Sequence, residues 1–450
     1  MHMDDYINNL LRENVSESEV ETILDKAACF QGLTPREAAA LLTSTNEAHA
    51  SRIFEIAGQI KNHIYGERIV LFAPLYISDY CVNGCTYCGF KGNGNHRRHK
   101  LTQEDVKAQV KILEKMGHKR IAIEAGEDPI NCPLDYILKC IDTIYRTSDI
   151  RRVNVNIAAL DIEDYRRLKA ANIGTYILFQ ETYHRPSYAR FHPAGPKRDY
   201  DYHFKAFERA MEAGIDDVGA GVLFGLYDYR YDALALMLHN EALEQQFGVG
   251  FHTISVPRIR EIDGVNSYPY GVCDGDFLKL VAILRIAMPF TGMIISTREV
   301  PAMRRQLIKI GISQMSAGSS TVVGGYGCKE APSESFNESS SAQFPLSDHR
   351  SADEIFYWLM EEGILPSFCT ACYRRNRRGA RFMEMVKKGD IKNVCLPNGI
   401  LTLKEYALDY GDARFNALAD SIIKQIKTEN PALIQAKLQE LEQGKRDIFI

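Results

Sequence analysis

Eight short runs rich in β-branched and other apolar residues alternate with longer amphipathic stretches through the middle of the chain. These runs, which we predict to be strands, span residues 69–76, 120–124, 153–157, 175–180, 217–223, 252–256, 293–296 and 312–315. The stretches between them carry apolar residues at helical spacing. Eight β/α alternations over about 250 residues favour a TIM-type (β/α)8 barrel over an open, doubly wound sheet. In such a barrel, functional side chains follow the carboxyl ends of the strands.

The sequence divides into three parts around this barrel. Residues 1–66 are predicted to form a layer of N-terminal helices, because Ser16 with Glu19 and Thr34 with Glu37 have the spacing of helix-capping pairs. Residues 67–325 are predicted to form the barrel. Residues 326–450 are predicted to form a helical C-terminal extension that either folds over the mouth of the barrel or is a separate domain. The stretch 330–343 is rich in Ser, Glu and Asn, which is typical of a linker.

The overall charge and hydropathy argue against two classes of function. The 450 residues carry a formal net charge of −4, so we expect no nucleic-acid partner. The apolar runs are too short to cross a bilayer, and the first residues resemble neither a signal peptide nor a transit peptide. We therefore expect a cytoplasmic protein without membrane association. In that compartment the 11 cysteines are not expected to form disulfides, so their spacing is the informative property.

Three cysteines directly follow the first predicted strand. Cys81, Cys85 and Cys88 have the spacing C-x3-C-x2-C in a short loop, so their sulfurs can converge on one centre. Three thiolates leave one iron of an iron–sulfur cluster open for a chelating ligand, such as the amino and carboxylate groups of S-adenosylmethionine (SAM). The alternatives are three unrelated cysteines or a zinc site without its fourth ligand, although zinc ribbons usually have paired C-x2-C knuckles. The position on the catalytic face of a barrel favours the cluster.

With Tyr87 before the last cysteine and Phe90 after it, this loop resembles the signature of the radical SAM superfamily. The resemblance implies a 4Fe–4S cluster on the three cysteines and a turn after strand two that holds the SAM amino group. Ala125, Gly126 and Glu127 match that turn, with alanine in place of the usual first glycine. Further polar residues at strand ends are either contacts for the ribose or methionine of SAM or satisfied barrel residues: Asn154, Asn156 and Glu181.

A second group of three cysteines lies in the extension. Cys369, Cys372 and Cys395 have the spacing C-x2-C-x22-C, and neither cysteine nor histidine follows Cys395 in the sequence. A structural zinc site normally has four protein ligands, so three thiolates indicate a second Fe–S cluster with one open iron. Five arginines between residues 374 and 381 would partly offset the negative charge of such a cluster. A zinc knuckle in a solvated basic loop is the alternative.

The two groups together resemble the hydrogenase-maturation tyrosine lyases of the HydG family, and the resemblance extends over nearly the whole chain. It implies that the first cluster reduces SAM to give a 5′-deoxyadenosyl radical, which takes hydrogen from the amino group of L-tyrosine. Cleavage of the Cα–Cβ bond would release p-cresol and leave dehydroglycine. Carbon monoxide and cyanide would form at the second cluster. Its extra iron would leave with them, bound to cysteine, as an Fe–CO–CN unit for the FeFe-hydrogenase.

The resemblance also implies an electron donor such as ferredoxin or flavodoxin, and other hydrogenase maturation proteins as partners. The nearest alternative is a lyase of tyrosine or another aromatic amino acid of the thiazole-synthesis type, which has the barrel and the first cluster but lacks the second. More distant alternatives are a radical SAM enzyme whose second cluster supplies sulfur or electrons, and a non-catalytic iron–sulfur carrier. One departure from the family could alter either substrate binding or the surroundings of the second cluster, because many relatives have an arginine where this chain has Ser320.

Four further residues are candidates for contacts with the substrate or the extra iron. Arg298, after strand seven, is predicted to pair with the carboxylate of the amino acid, unless it forms a structural ion pair with Glu299 or another acid. Ser316 and Ser319, after strand eight, would complete that contact. By resemblance, His252 would help to hold the extra iron. It lies at the start of strand six, however, which conflicts with a site at the carboxyl ends.

Overall fold

The computed structural model describes residues 3–260, 268–327 and 341–450. Eight parallel strands close into a barrel: β1 (Arg68–Ser78), β2 (Arg120–Ala125), β3 (Arg152–Asn156), β4 (Tyr176–Glu181), β5 (Val218–Val222), β6 (Thr253–Ser255), β7 (Gly292–Ile295) and β8 (Gln314–Ser316). They are hydrogen-bonded in the order β2-β3-β4-β5-β6-β7-β8-β1, and β1 also pairs with β2, which closes the barrel. Each strand overlaps one of the predicted runs, so the (β/α)8 prediction is confirmed.

Helices follow the strands around the outside of the barrel. They are α5 (Gln103–Lys115), α6 (Leu134–Thr147), α7 (Ile162–Ala170), α8 (Arg185–Phe191), α9 (Tyr200–Phe204), α10 (Ala206–Glu212), α11 (Tyr229–Phe247), α12 (Asp274–Ala287) and α13 (Pro301–Ile310). The connection from β4 to β5 is the irregular one, because it contains α8, a 3₁₀ turn at Pro196–Arg198 and α9 before α10. This connection brings additional residues to the carboxyl ends of the strands.

The N-terminal residues form the predicted helical layer. Its members are α1 (Met3–Arg12), α2 (Glu17–Ala27), α3 (Pro35–Thr43) and α4 (Glu47–Tyr65). Thr34 and Glu37 form a complete capping box, since the backbone N–H of Thr34 donates to Glu37 Oε2 at 2.8 Å and that of Glu37 to Thr34 Oγ1 at 3.3 Å. Helices α3 and α4 pack against α12 of the barrel. Across the described residues, we find no helix with the length and apolar character needed to span a membrane.

The C-terminal extension joins the barrel at the amino-terminal ends of the strands. It consists of α14 (Ala352–Glu361), β9 (Leu365–Ser367), α15 (Ala371–Arg374), α16 (Gly379–Lys387), α17 (Ile391–Tyr410), α18 (Ala413–Gln425) and α19 (Pro431–Glu442). β9 runs parallel to Arg68–Val70 at the start of β1, whereas β2 pairs with Ala73–Ser78 further along. The extension therefore covers the mouth opposite to the Cys81 loop. Most of the predicted linker at 330–343 lies outside the described residues, and the boundary before it stays a prediction.

Candidate active site

An upper chamber lies at the carboxyl ends of the barrel strands. It is a cavity of about 220 Å³, and its wall includes the three cysteines of the first group. The wall also contains, with the exception of Asn154, the residues that the sequence suggested for SAM and for the substrate. The folded chain therefore brings together side chains from the loops or ends of six different strands, as an active site in a TIM barrel requires.

The cysteine loop rests directly on the turn after β2. The backbone N–H of Val82 donates to the carbonyl of Glu127 at 2.8 Å, and that of Gly126 donates to the carbonyl of Ser78 at 2.9 Å. A Cβ atom at Gly126 would lie 2.3 Å from the carbonyl oxygen of Tyr80. Only glycine permits this approach, which explains why Gly126 is retained while Ala125 replaces the glycine before it.

The charge of Glu127 is controlled by its surroundings. Burial raises the pKa of Glu127, and a 2.6 Å hydrogen bond from Asn83 Nδ2 to its Oε2 opposes that shift. Asn83 lies between Cys81 and Cys85, so the cysteine loop itself orients the carboxylate. A partly desolvated carboxylate in this position suits the ammonium group of an amino acid, which is the role that the resemblance implies.

The donor set fits a cluster better than a single ion. Within the ranges that the structure describes, no three His, Cys, Asp or Glu side chains converge closely enough to hold one metal ion. In a cluster each cysteine binds a different iron, so the sulfurs are farther apart. In the protein alone, burial raises the pKa of Cys85 to about 11 and that of Cys88 to about 12. Both thiols are neutral until a metal compensates the charge of the thiolate.

The two aromatic residues of the loop are packed into the wall. The hydroxyl of Tyr87 is 2.8 Å from Nε2 of His192, which belongs to the β4–β5 connection. Phe90 is buried and meets the ring of Tyr76 edge-on, with 5.7 Å between the ring centroids. These contacts fix the loop and exclude water from the side of the chamber next to the cysteines.

The polar candidates on β3 have different environments. Asn156 donates from Nδ2 to Glu124 Oε2 at 2.6 Å, and both line the upper chamber. Asn154 lies two residues earlier, and its Oδ1 accepts the backbone N–H of Thr175 at 3.1 Å. Asn154 is engaged in this bond and lies outside the chamber wall, so its position does not suit a contact with SAM. Asn156 remains a candidate.

Arg298 lies in the wall of the upper chamber and has the properties of an anion-binding residue. The alternative pairing with Glu299 is not formed, because Glu299 binds Arg258 and Arg260 at 2.8 Å each. Within the described chain, Arg298 has no ion-pair partner, and its guanidinium lies over the ring of Phe344 at 4.0 Å. Burial lowers the pKa of Arg298. A half-buried guanidinium without an ion-pair partner among the described residues, placed in a chamber wall, is a site for a carboxylate.

Ser316, the last residue of β8, and Ser319, just beyond it, also have hydroxyls without partners among the described residues. The Oγ atoms of Ser316 and Ser319 are buried and make no hydrogen bond within the described residues, although both residues line the upper chamber. Buried hydroxyls normally have a partner, so these two indicate a ligand. Ser320 does not line the chamber, since its Oγ accepts the backbone N–H of Val322 in a turn.

A lower chamber of about 60 Å³ lies at the opposite mouth of the barrel. Its wall contains Cys369, Cys372, Cys395 and His252. A hydrogen bond between Cys372 and Cys395 raises the pKa of Cys372 and lowers that of Cys395. Four orphaned polar atoms of the described chain surround the cysteines: Arg68 Nε, Arg120 Nε, Arg377 Nε and Thr370 Oγ1. Buried cations without anions fit a negatively charged cluster.

The structure removes the conflict between the place of His252 at the start of strand six and its expected role in holding the extra iron. His252 immediately precedes β6 and therefore lies at the amino-terminal mouth, which is where the extension places the second cysteine group. Its ring packs against Phe382 of α16, with 4.5 Å between centroids. The strand boundary and the proposed role are thus compatible, because the second site is at the opposite end of the barrel from the first.

Several residues that line the two chambers were not among the candidates taken from the sequence. In the upper chamber they are Asn83, Glu124 and Lys197. Glu124 could have been recognised as an acid at the end of an apolar strand. The cations of the lower chamber come largely from the barrel, as Arg68 and Arg120, and only one of the five arginines between 374 and 381 lines it. No local pattern marks those two barrel arginines.

Comparison with known proteins identifies the family. The radical SAM superfamily model matches residues 75–238, and the model of the biotin and thiamin synthesis associated domain matches residues 255–365. A crystal structure of HydG, a maturase of the [FeFe]-hydrogenase, is 51% identical in sequence, covers 99% of each chain and superposes with a TM-score of 0.94. The chain belongs to the HydG maturase family. HydG from Carboxydothermus hydrogenoformans is 37% identical, with 98% and 97% coverage of this chain and that one and a TM-score of 0.85.

More distant relatives share part of this architecture. The 2-iminoacetate synthases of Escherichia coli and Salmonella typhimurium are 27% and 29% identical to this HydG-family chain. The alignments cover 76% and 73% of this chain but 89% and 84% of those enzymes. A substantial part of this chain therefore has no counterpart in those alignments.

Proposed function

We propose that this protein is a radical SAM tyrosine lyase that supplies an Fe–CO–CN unit for the assembly of an FeFe-hydrogenase active site. Membership of the HydG family supports the hydrogenase context, and the relation to the 2-iminoacetate synthases supports lyase chemistry on tyrosine. The observation that carries the proposal is the presence of two three-cysteine chambers at opposite ends of one barrel.

In the upper chamber, Cys81, Cys85 and Cys88 would hold a 4Fe–4S cluster, and Glu127 with Asn156 would orient SAM. When bound, these cofactors supply a radical able to remove hydrogen from the amino group of tyrosine. Arg298 would bind the carboxylate of the amino acid through its planar guanidinium. The orphaned hydroxyl of Ser316 would add a further hydrogen bond.

The walls of the chamber restrict the position of the substrate. Reacting atoms must be held at van der Waals distance for hydrogen transfer, and Arg298 would achieve this by fixing the carboxylate end. The buried rings of Phe90 and Tyr76 and the half-buried ring of Phe344 provide aromatic surface around the polar residues. A largely apolar wall would also limit the contact of a reactive intermediate with water.

In the lower chamber, Cys369, Cys372 and Cys395 would hold the second cluster, and His252 would help to bind the iron that is exported. The glycine-derived fragment is anionic, and the surrounding arginines attract anions. Cleavage in the upper chamber and formation of carbon monoxide and cyanide in the lower one would then be separate steps that share one barrel.

Infrared spectroscopy tests this proposal directly. The protein is reconstituted anaerobically with iron and sulfide, then given dithionite, SAM, cysteine and tyrosine labelled with carbon-13. We expect Fe–CO and Fe–CN bands that shift with the isotope. Cluster-replete protein that gives no such bands would contradict the maturase function.

The same reaction distinguishes the second candidate function, a tyrosine lyase of the thiazole-synthesis type. Its support is the relation to the two 2-iminoacetate synthases. Release of p-cresol without carbon monoxide or cyanide would favour it. The lower chamber argues against it, because a simple lyase has no use for three further cysteines and a histidine.

A further inference from the structure

One carboxylate in the wall of the lower chamber has no partner. Asp217 immediately precedes β5, only 2% of its surface is exposed, and it lines the chamber together with the second cysteine group and His252. Its Oδ1 makes no hydrogen bond within the described residues. Among the described residues of this wall, Asp217 is also the only aspartate or glutamate. An unpaired carboxylate is costly to bury, so its presence here indicates a ligand.

The arginines of the same wall do not neutralise this carboxylate. Arg68, Arg120 and Arg377 each have an orphaned Nε atom, yet within the described residues none of them forms an ion pair with Asp217. Arg120 donates instead to the carbonyl of Cys369 at 3.1 Å. The chamber therefore offers an acceptor for N–H groups and, separately from it, donors for an anion. This arrangement suits a small ligand that has a carboxylate at one end and an N–H group at the other.

Backbone hydrogen bonds fix Asp217 beside His252. The N–H of Tyr176 in β4 donates to the carbonyl of Asp217 at 3.0 Å, and the N–H of His252 donates to the carbonyl of Val218 at 2.9 Å. Asp217 and His252 therefore lie at the starts of adjacent strands, at the mouth that the extension covers. A group held by the barrel backbone has the fixed position that a reaction requires.

Tyr373 connects Asp217 to the second cysteine group, because it directly follows Cys372. Its hydroxyl is 3.1 Å from Oγ1 of Thr175, and the guanidinium of Arg152 lies over its ring at 4.1 Å. Burial raises the pKa of Tyr373, and the negative charge of Asp217 raises it further. The carboxylate is therefore close enough to this part of the extension to act on it electrostatically.

We propose that Asp217 is the proton acceptor for the breakdown of the glycine-derived fragment in the lower chamber. The inference rests on the proposed function, which delivers dehydroglycine to this chamber. Asp217 would take the proton from the imine nitrogen of the fragment and return it to a carboxylate oxygen of the same fragment. The orphaned N–H groups of the arginines are available to hold that carboxylate. Asp217 is thus a catalytic residue in addition to the cysteines and His252.

The step balances without an oxidant or a reductant. The electron pair of the N–H bond becomes the third bond between carbon and nitrogen, and the pair of the C–C bond stays on the carboxyl carbon. The protonated oxygen leaves that carbon as hydroxide, which gives carbon monoxide. Hydroxide then takes the proton of the hydrogen cyanide. One dehydroglycine anion, HN=CH–COO⁻, gives one carbon monoxide, one cyanide ion and one water.

Asp217→Asn tests the proposal, because the amide has nearly the same shape but does not accept the proton. The matched control is Asp216→Asn, since Asp216 is the adjacent residue and is exposed. Asp217→Ser is a second variant, whose smaller side chain cannot overfill the wall. Each protein is reconstituted and given dithionite, SAM and tyrosine, and p-cresol, carbon monoxide and cyanide are measured. Glyoxylate is measured as well, because dehydroglycine that escapes reacts with water to give glyoxylate and ammonia.

Two further measurements need no turnover. They are the iron and sulfide content after reconstitution and the denaturant unfolding of the cofactor-free protein. We expect both to match the wild type in Asp217→Ser. Asp217→Asn should keep the same iron and sulfide content and should unfold at the same denaturant concentration as the wild type or a higher one, because it removes a buried, unpaired charge.

In the reaction, both Asp217 variants should release p-cresol at the wild-type rate but form carbon monoxide and cyanide roughly a hundredfold more slowly. Glyoxylate should rise to match the p-cresol, and Asp216→Asn should behave as the wild type. Carbon monoxide at the wild-type rate in either Asp217 variant would overturn the proposal. Loss of the second cluster or clear destabilisation in both variants would also overturn it, because the role of Asp217 would then be structural. Wild-type protein that released p-cresol without carbon monoxide or cyanide would instead contradict the proposed function.

Discussion

Lys197 donates a 2.8 Å hydrogen bond to Glu181, and solvent reaches only 15% and 10% of the two side chains. Glu181 ends β4 in the left-handed region, with φ of 70°, which few residues other than glycine adopt. Lys197 also binds Asn83 in the cysteine loop through its backbone. The ion pair thus connects the end of a barrel strand to the loop that would hold the first cluster.

Removal of one partner should therefore be more damaging than removal of both. In Lys197→Met, Glu181 is left as an unpaired buried carboxylate, and we expect a loss of about 3 kcal/mol in the free energy of unfolding. The double variant Lys197→Met/Glu181→Gln should recover most of it, because the buried charge is gone. Denaturant unfolding measures both, with Lys205→Met as an exposed control. A single variant as stable as the wild type would contradict the interpretation.

Substitutions at Arg298 should separate substrate binding from the cleavage of SAM. We expect Arg298→Met to raise KM for tyrosine by about 10- to 100-fold, since a hydrogen-bonded charge is worth about 1.5–3 kcal/mol. Arg298→Lys keeps the charge but loses the planar fork, so an intermediate KM is expected. SAM cleavage in the absence of tyrosine should be unchanged. An unaltered KM in Arg298→Met would show that the carboxylate binds elsewhere.

Ser316 and Ser319, at the end of β8 and just beyond it, allow an effect on substrate binding to be distinguished from an effect on stability. Ser316→Ala and Ser319→Ala remove hydroxyls that have no partner among the described residues, so neither should destabilise the protein. Both should raise KM for tyrosine, by about tenfold for a lost hydrogen bond. Ser313→Ala is the contrast, because Ser313 Oγ accepts the backbone N–H of Met293 at 3.1 Å. That variant should lose about 1 kcal/mol of stability with no change in KM. Destabilisation by Ser316→Ala would indicate a structural role instead.

The raised pKa of Glu124 predicts that the free energy of unfolding depends on pH. Burial raises its pKa to about 8, above the unfolded value of about 4.3. The folded state therefore binds more protons between these values, and stability falls as pH rises from about 4 to 8, by about 1.4 kcal/mol per unit. Glu124→Gln should remove this contribution, while Glu104→Gln on the surface should not. Unfolding of the cofactor-free protein at pH 5.5, 7 and 8.5 checks this. Parallel profiles for the wild type and Glu124→Gln would contradict it.

The fold was predictable because the alternation of strands and helices is a local property. The cysteine groups were predictable for the same reason, since their spacing lies within short segments. The pairing of β9 with Arg68–Val70 was not predictable, because it joins residues about 300 positions apart. Without that pairing, His252 appeared to lie at the wrong end of its strand. The same pairing explains why Arg68 becomes a residue of the lower chamber.

The hydrogen-bond and ion-pair partners of individual side chains were the other feature that the sequence could not predict. Asn154 and Asn156 have the same residue type on the same strand, yet Asn154 is bound to Thr175 and Asn156 faces the chamber. Likewise, the spacing could not show that Glu299 pairs with Arg258 and leaves Arg298 free. Such choices depend on neighbours that the fold supplies.

A substitution in the lower chamber should abolish its reaction and leave the reaction of the upper chamber intact. In Cys395→Ala the lower chamber loses a ligand, and we expect the protein to bind roughly half as much iron after reconstitution. Because the upper chamber is intact, p-cresol should still form at close to the wild-type rate, whereas the Fe–CO and Fe–CN bands should disappear. The matched control is Cys140→Ala, since Cys140 is fully buried in α6 and lines neither chamber.

His252→Ala refines this test, because it keeps all six cysteines. We expect normal release of p-cresol, a complete second cluster by iron and sulfide analysis, and loss of the Fe–CO–CN product. Infrared bands at wild-type intensity in either variant would show that carbon monoxide and cyanide are not bound in the lower chamber. Loss of p-cresol in Cys395→Ala would instead mean that the extension is needed to build the upper chamber, since β9 is hydrogen-bonded to the strand that leads into the Cys81 loop.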